Sequence, residues 1–161
     1  MSCGHDHHSH GLSGGALSAE LVAADARCAE AGQKLTPPRR RVLEQLLQAG
    51  QPVKAYDLIA AFADGAPAKP PTVYRALEFL SKQGFAHRIE SLNAYVACRH
   101  SAAEGADNHA AAFLICDCCG ATREIDPAVL DSIETAARGP GFTVQSVTIE
   151  AHGLCADCGA G

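Results

Sequence analysis

Pro71-Thr72-Val73-Tyr74-Arg75-Ala76-Leu77-Glu78-Phe79-Leu80-Ser81-Lys82-Gln83, closed by Gly84 and followed by Phe85-Ala86-His87-Arg88-Ile89-Glu90-Ser91-Leu92-Asn93-Ala94-Tyr95-Val96-Ala97-Cys98, is the stretch that decides the fold. In its first half Val73, Leu77 and Leu80 recur at helical spacing. In its second half the period falls to two, with Phe85, His87 and Ile89 alternating with Ala86, Arg88 and Glu90. Ser91 to Ala94 reads as a turn and Tyr95 to Cys98 as the returning strand. A helix running into a hairpin is the closing half of a winged helix-turn-helix, whose last helix enters the DNA major groove.

The residues upstream supply the other helices. Ser18 to Ala31 is a predicted helix with Leu17, Leu21, Ala24 and Cys28 on one face and Gly32 as its stop. Thr36 can cap a second helix that opens on Pro37-Pro38, buries Val42, Leu43, Leu46 and Leu47, and ends at Gly50. A third is predicted from about Lys54 to Ala63, followed by a Gly/Pro-rich loop. Arg39, Arg40 and Arg41 fall in the first turn of the second helix, where the helix dipole disfavours cations, and such placement points to an external anion.

Downstream, 99–110 reads as a polar linker and 111–161 as a second, smaller α+β unit. Its expected elements are a strand Ala112–Cys116, a strand Thr122–Ile125, a helix Pro127–Arg138 and a strand Thr143–Ala151. Two Cys-x2-Cys knuckles, Cys116/Cys119 and Cys155/Cys158, flank these elements with 35 residues between them. Four thiolates presented from two tight turns suit a structural zinc, which would tie together the ends of a domain with few large side chains. Cys118 is surplus to the four, a bystander or else a competitor of Cys119 for the metal.

Composition agrees with this division. The chain has 161 residues, a net charge of -5, eight Cys and eight His. Residues 1–33 carry a net -3, residues 34–91 a net +4 and residues 92–161 a net -6. The basic middle coincides with the winged helix and fits a polyanionic partner. No apolar run approaches the ~20 residues of a membrane span. The polar, His-rich start does not read as an export signal, so the expected location is cytoplasmic and the thiols are expected to serve metal rather than disulfides. Residues 1–16 are expected to be a disordered His-rich tail, with Cys3, His5, His7, His8 and His10 as loose metal donors or as a plain flexible end.

A second metal set lies around the hinge. A two-residue Leu92-Asn93 loop would pair Ile89 with Val96 and His87 with Cys98, and opposed side chains on one face of a hairpin can share an ion. His109, ahead of the next strand, and Glu124, after the knuckle, would complete four ligands. His100 and His152 are alternatives.

The ordered series Lys69-Pro70-Pro71-Thr72-Val73-Tyr74-Arg75-Ala76-Leu77, Gln83-Gly84-Phe85-Ala86-His87, Phe113-Leu114-Ile115-Cys116-Asp117-Cys118-Cys119-Gly120 and Glu150-Ala151-His152-Gly153-Leu154-Cys155-Ala156-Asp157-Cys158 resembles the ferric uptake regulator family, in its zinc-responsive branch. The likeness spans about residues 18–158. It implies an α+β protein with a winged-helix domain at 17–98 and a small dimerisation domain at 111–161. It further implies a homodimeric repressor that binds double-stranded operator DNA when loaded with zinc, two ions per monomer, and controls zinc uptake genes. By position, Cys116, Cys119, Cys155 and Cys158 match the structural zinc site, and His87, Cys98, His109 and Glu124 the regulatory one. Tyr74 and Arg75 match base-reading positions, with Thr72, Lys69 and the three arginines beside them; Lys54 adds a further cation for phosphate. Cys98 as a soft ligand favours zinc over iron. The chain departs from many relatives in carrying its His-rich segment at the N-terminus rather than in the linker.

Neither a Ser–His–Asp array, a phosphate loop nor a paired-acid motif is evident, and four protein ligands at each zinc leave no position for catalytic water. An enzyme is therefore not expected. The competing readings are a regulator of the same family responding to iron or another metal, and a zinc storage or delivery protein.

Overall fold

A computed structural model describes residues 11–62, 69–98, 110–125, 135–137, 139–143 and 147–159. The described residues form two compact units, one within 11–98 and one within 110–159.

The first unit opens with α1 (Gly14–Glu30), α2 (Pro37–Ala49), β1 (Val53–Lys54) and α3 (Ala55–Ala60). The helix α4 (Pro70–Lys82) and the strands β2 (Ala86–Ile89) and β3 (Ala94–Ala97) complete it. The first helix starts at Gly14 rather than at Ser18, with Ser13 at the N-cap position. The buried stripe explains the earlier start. It begins at Leu17 and continues through Leu21, Ala24 and Cys28, so the helix must already be formed when the chain reaches Leu17. Thr36 sits at the start of α2 as expected, but its hydroxyl makes no capping bond. Pro37 and Pro38 lack the N–H groups that such a cap would partly satisfy. Gly50 closes α2 in the left-handed conformation at φ 60°.

The wing differs from the expected hairpin in two ways. It has three strands, in the order β1-β3-β2, because Val53 and Lys54 pair with Tyr95 and Ala94. A two-residue strand has no period to read in sequence. The register is also displaced by two residues: His87 faces Val96, Arg88 faces Tyr95 and Ile89 faces Ala94. The loop is therefore Glu90 to Asn93, closed by the Asn93 N–H donating to the Glu90 carbonyl at 3.1 Å. A two-residue loop at Leu92-Asn93 would ask Leu92 for the positive φ that such turns favour. In the longer loop only Asn93 takes one, at 47°, and Asn tolerates it.

Leu46, Leu58, Val42, Val73, Leu77 and Leu80 are the fully buried centre of this unit. The inward face of α4 is Val73, Ala76, Leu77, Phe79 and Leu80, leaving Tyr74 and Arg75 outside.

The second unit holds a sheet ordered β5-β4-β6, made of β4 (Ala110–Cys116), β5 (Thr122–Ile125) and β6 (Val147–Gly153). The β4–β5 pair is antiparallel across the first knuckle and the β4–β6 pair is parallel. A parallel pair needs a crossover connection. The helix predicted for Pro127–Arg138 falls in that crossover; residues 135–137 are helical, and the rest of that span lies outside the described residues. The last strand begins at Val147, later than the expected Thr143, and runs on to Gly153. A single helical turn, Ala156–Gly159, follows. Phe113, Ile115 and Ala112 are buried in this sheet. No helix among the described residues is long and apolar enough to cross a membrane.

Truncating Leu80 to Ala is expected to destabilise the first unit by about 2–5 kcal/mol through the cavity it leaves. Truncating Val22, which is 61% exposed, should change stability by less than about 0.5 kcal/mol. Chemical denaturation of both variants measures the contrast.

Candidate metal centre and nucleic-acid interface

The strand β4 ends in the knuckle Cys116–Gly120. Gly120 takes a positive φ of 74° and donates its N–H to the Cys116 carbonyl at 2.9 Å, which turns the chain back towards β5. The parallel register sets Cys116 opposite Gly153, and the Asp117 N–H donates to the Gly153 carbonyl at 2.8 Å. The chain leaving β6 then reaches Cys155 beside the first knuckle, where its N–H donates to Cys116 Sγ at 3.3 Å. The last turn returns Cys158, with its N–H on the Cys155 carbonyl at 3.0 Å.

The result is four sulfurs, of Cys116, Cys119, Cys155 and Cys158, all within 4.8 Å of one another. Cys119 Sγ and Cys155 Sγ are 3.8 Å apart. A tetrahedral ion with metal–sulfur bonds of ~2.3 Å has sulfur–sulfur edges of about 3.8 Å, so the group has the dimensions of a zinc cage. The backbone N–H groups of Cys119 and Cys155 hold the Cys116 thiol down to about 6, against an ordinary 9.0. The Cys158 thiol moves the opposite way, through burial and the neighbouring sulfurs. Closely packed thiolates repel one another, and a divalent cation at their centre would remove that opposition. Cys118 is exposed and outside the four-sulfur group. His152, an alternative ligand by sequence, is hydrogen-bonded through Nδ1 to Asp117 Oδ1 at 2.9 Å.

In the wing, His87 projects from β2 and Cys98 stands just beyond β3, its N–H on the Phe85 carbonyl at 3.0 Å. With the observed register the two residues are diagonal rather than directly opposed. A displacement of two preserves the face, because side chains alternate with period two. A ring nitrogen of His87 and Cys98 Sγ lie within 4.8 Å of each other, and both residues are half-buried. In the second unit Glu124 is half-buried on β5 opposite Phe113. His109 and His100 lie outside the described residues, as does the tail through His10.

The outer face of α4 presents Tyr74, 52% exposed, with Arg75 exposed beside it. Thr72 is half-buried and Lys69, at the N-cap position, is exposed. The three arginines of α2 have different surroundings. Arg39 stacks over the Phe79 ring, 3.5 Å from its centroid, and donates to the Lys34 carbonyl at 2.6 Å. Arg41 donates to the Phe62 carbonyl at 3.2 Å and to Glu44 at 2.9 Å. Arg40 is half-buried. One residue escaped the sequence reading: Tyr56, next to the exposed Lys54, is 77% exposed. Its place just ahead of the apolar stripe of a short helix gave no sign that it would face solvent.

Replacing Cys119 with Ser should cost the protein one tightly held zinc and lower the unfolding temperature of the second unit. Replacing Cys118 with Ser should leave the zinc content unchanged. Metal analysis after extensive dialysis, together with a thermal melt, checks the pair.

The model of the ferric uptake regulator family matches residues 30–159. The zinc uptake regulation protein of Escherichia coli (strain K12) is 44% identical over 140 residues, which is 86% of this chain and 80% of that protein. The crystal structure of holo XcZur is 44% identical and superposes with a TM-score of 0.78, covering 89% of this chain and 99% of its own. A zinc uptake regulator complexed with zinc and DNA is 42% identical, with a TM-score of 0.79 over 89% of this chain and 95% of its own. With its winged helix, its thiol cage and a family match over most of its length, the chain belongs to the ferric uptake regulator family.

Proposed function

We propose that this protein is a zinc-responsive transcriptional repressor that binds operator DNA as a zinc-loaded homodimer in the cytoplasm and controls zinc uptake and homeostasis genes. The observation that carries the reading is the pairing of a soft thiol, Cys98, with His87 at the end of a wing whose neighbouring helix exposes Tyr74 and Arg75. The identity to zinc uptake regulators, one of them complexed with zinc and DNA, supports it.

Two zinc ions per monomer are proposed. The first, held by Cys116, Cys119, Cys155 and Cys158, is structural. The second, held by His87, Cys98, His109 and Glu124, is regulatory. Its ligands come from both units, so occupancy favours one arrangement of the chain over others. An effector shifts such an equilibrium only by its preference for one state, and by linkage bound DNA tightens the hold on zinc. In the favoured arrangement the recognition helices of the dimer would be spaced for successive major grooves, ~34 Å apart.

On the DNA, Arg75 is assigned to a guanine edge and Tyr74 to a thymine methyl. Thr72, Lys69, Lys54, Arg39, Arg40 and Arg41 are assigned to the backbone, with Tyr56 on the same basic unit; these contacts make affinity salt-dependent.

The test is selection of binding sites from a random duplex pool by the full-length protein with zinc, with iron and with chelator. A single enriched sequence with zinc alone is expected. Enrichment with iron but not zinc, or none with any metal, would overturn the reading. Cys98→Ser should abolish the zinc-dependent binding while leaving a folded dimer by light scattering. Arg75→Ala should lose about 1–3 kcal/mol of discrimination at one base pair, read by competition among single-base variants of the selected site.

A further inference from the structure

Thr36 and Arg39 at the start of α2, and Thr72 and Arg75 on the first turns of α4, line one shallow cleft of about 190 Å³. Among the described residues no carboxylate lines it. We propose that this cleft is a seat for a single phosphodiester group of the DNA backbone, held by Arg39 with the Thr36 and Thr72 hydroxyls, and that it sets the register from which Arg75 reads. The proposal rests on the DNA-binding reading above and assigns one cation of the basic unit a fixed role within it.

Three features separate this cleft from ordinary basic surface. First, both helices that border it open on two prolines, Pro37-Pro38 and Pro70-Pro71. The two leading amide donors that usually greet an anion at a helix start are therefore missing at each end. Any anion here must be held by side chains, and the Thr36 hydroxyl makes no capping bond that would compete.

Second, Arg39 is oriented before any ligand arrives. Its guanidinium lies 3.5 Å from the Phe79 ring centroid, and one nitrogen is tied to the Lys34 carbonyl at 2.6 Å. A guanidinium carries five N–H donors, so this anchoring leaves others for a phosphate oxygen. A side chain already held in one plane loses little rotamer freedom on binding. The same anchoring keeps it from searching for a base edge, which places it among the positioning contacts rather than the reading ones.

Third, Phe79 belongs to the buried face of α4. Arg39 therefore bears on the body of the recognition helix, and the cleft it lines is shared with Arg75. A phosphate seated there fixes how far α4 can slide or roll relative to the base pair that Arg75 meets.

The test uses the zinc-loaded, full-length protein and a duplex carrying its selected site, with each backbone phosphate in turn replaced by a neutral methylphosphonate. In the wild type one phosphate per half-site should be sensitive in this region, its neutralisation weakening binding about tenfold. In Arg39→Ala that same neutralisation should have almost no further effect. The slope of log affinity against log salt should shrink by about 1 per seat lost. Arg39→Lys keeps the charge but loses the planar stack, and should retain part of the sensitivity; it guards against a folding defect in the alanine variant. If Arg39→Ala and Arg39→Lys both keep the full wild-type profile at every phosphate while base preference is intact, the seat is refuted and the repressor reading stands. If the wild type shows no zinc-dependent binding to any duplex, the repressor reading falls and the seat with it.

Discussion

Strand pairing is what brings scattered donors into groups that could hold a metal ion. The Cys116 and Cys155 knuckles are far apart in sequence, and the parallel β4–β6 ladder, with Cys116 opposite Gly153, delivers them to the same end of one sheet. The β2–β3 ladder does the same for His87 and Cys98 on the wing. In both places ladder hydrogen bonds position the backbone and side-chain alternation decides which groups share a face. An ion held by the four thiols would close a long loop in a small unit, where a cross-link restricts the unfolded chain most.

Much of this was legible in the sequence, for identifiable reasons. The four cage cysteines announce themselves because a Cys-x2-Cys turn is a local motif, and the sulfur geometry excludes Cys118 only by detail. The expected hairpin register is off by two residues. An even displacement still keeps His87 and Cys98 on one face, whereas an odd one would separate them. The displacement itself traces to Leu92, which is unsuited to a positive φ, and to Asn93, which accepts one. The two-residue strand β1 was missed because it has no internal pattern and exists through its pairing with β3. The helix α1 began early because its apolar stripe starts at Leu17.

The candidate nucleic-acid face was the least legible part. Three consecutive arginines look alike in sequence, but the fold gives them different partners. Arg41 is turned to Glu44 and the Phe62 carbonyl, and Arg39 is stacked on Phe79. These contacts depend on residues distant along the chain, which helical spacing alone cannot anticipate. The net positive charge of residues 34–91 marks the unit, and the three-dimensional contacts set how each of its cations is held.

One metal ion is proposed to be structural and another to control DNA binding. Titrating zinc into metal-free protein while following both bound metal and operator affinity separates the two roles. Two equivalents per monomer should bind in sequence, with affinity for DNA unchanged by the first and rising with the second. A single equivalent, or DNA affinity that rises with the first and ignores the second, would contradict the account.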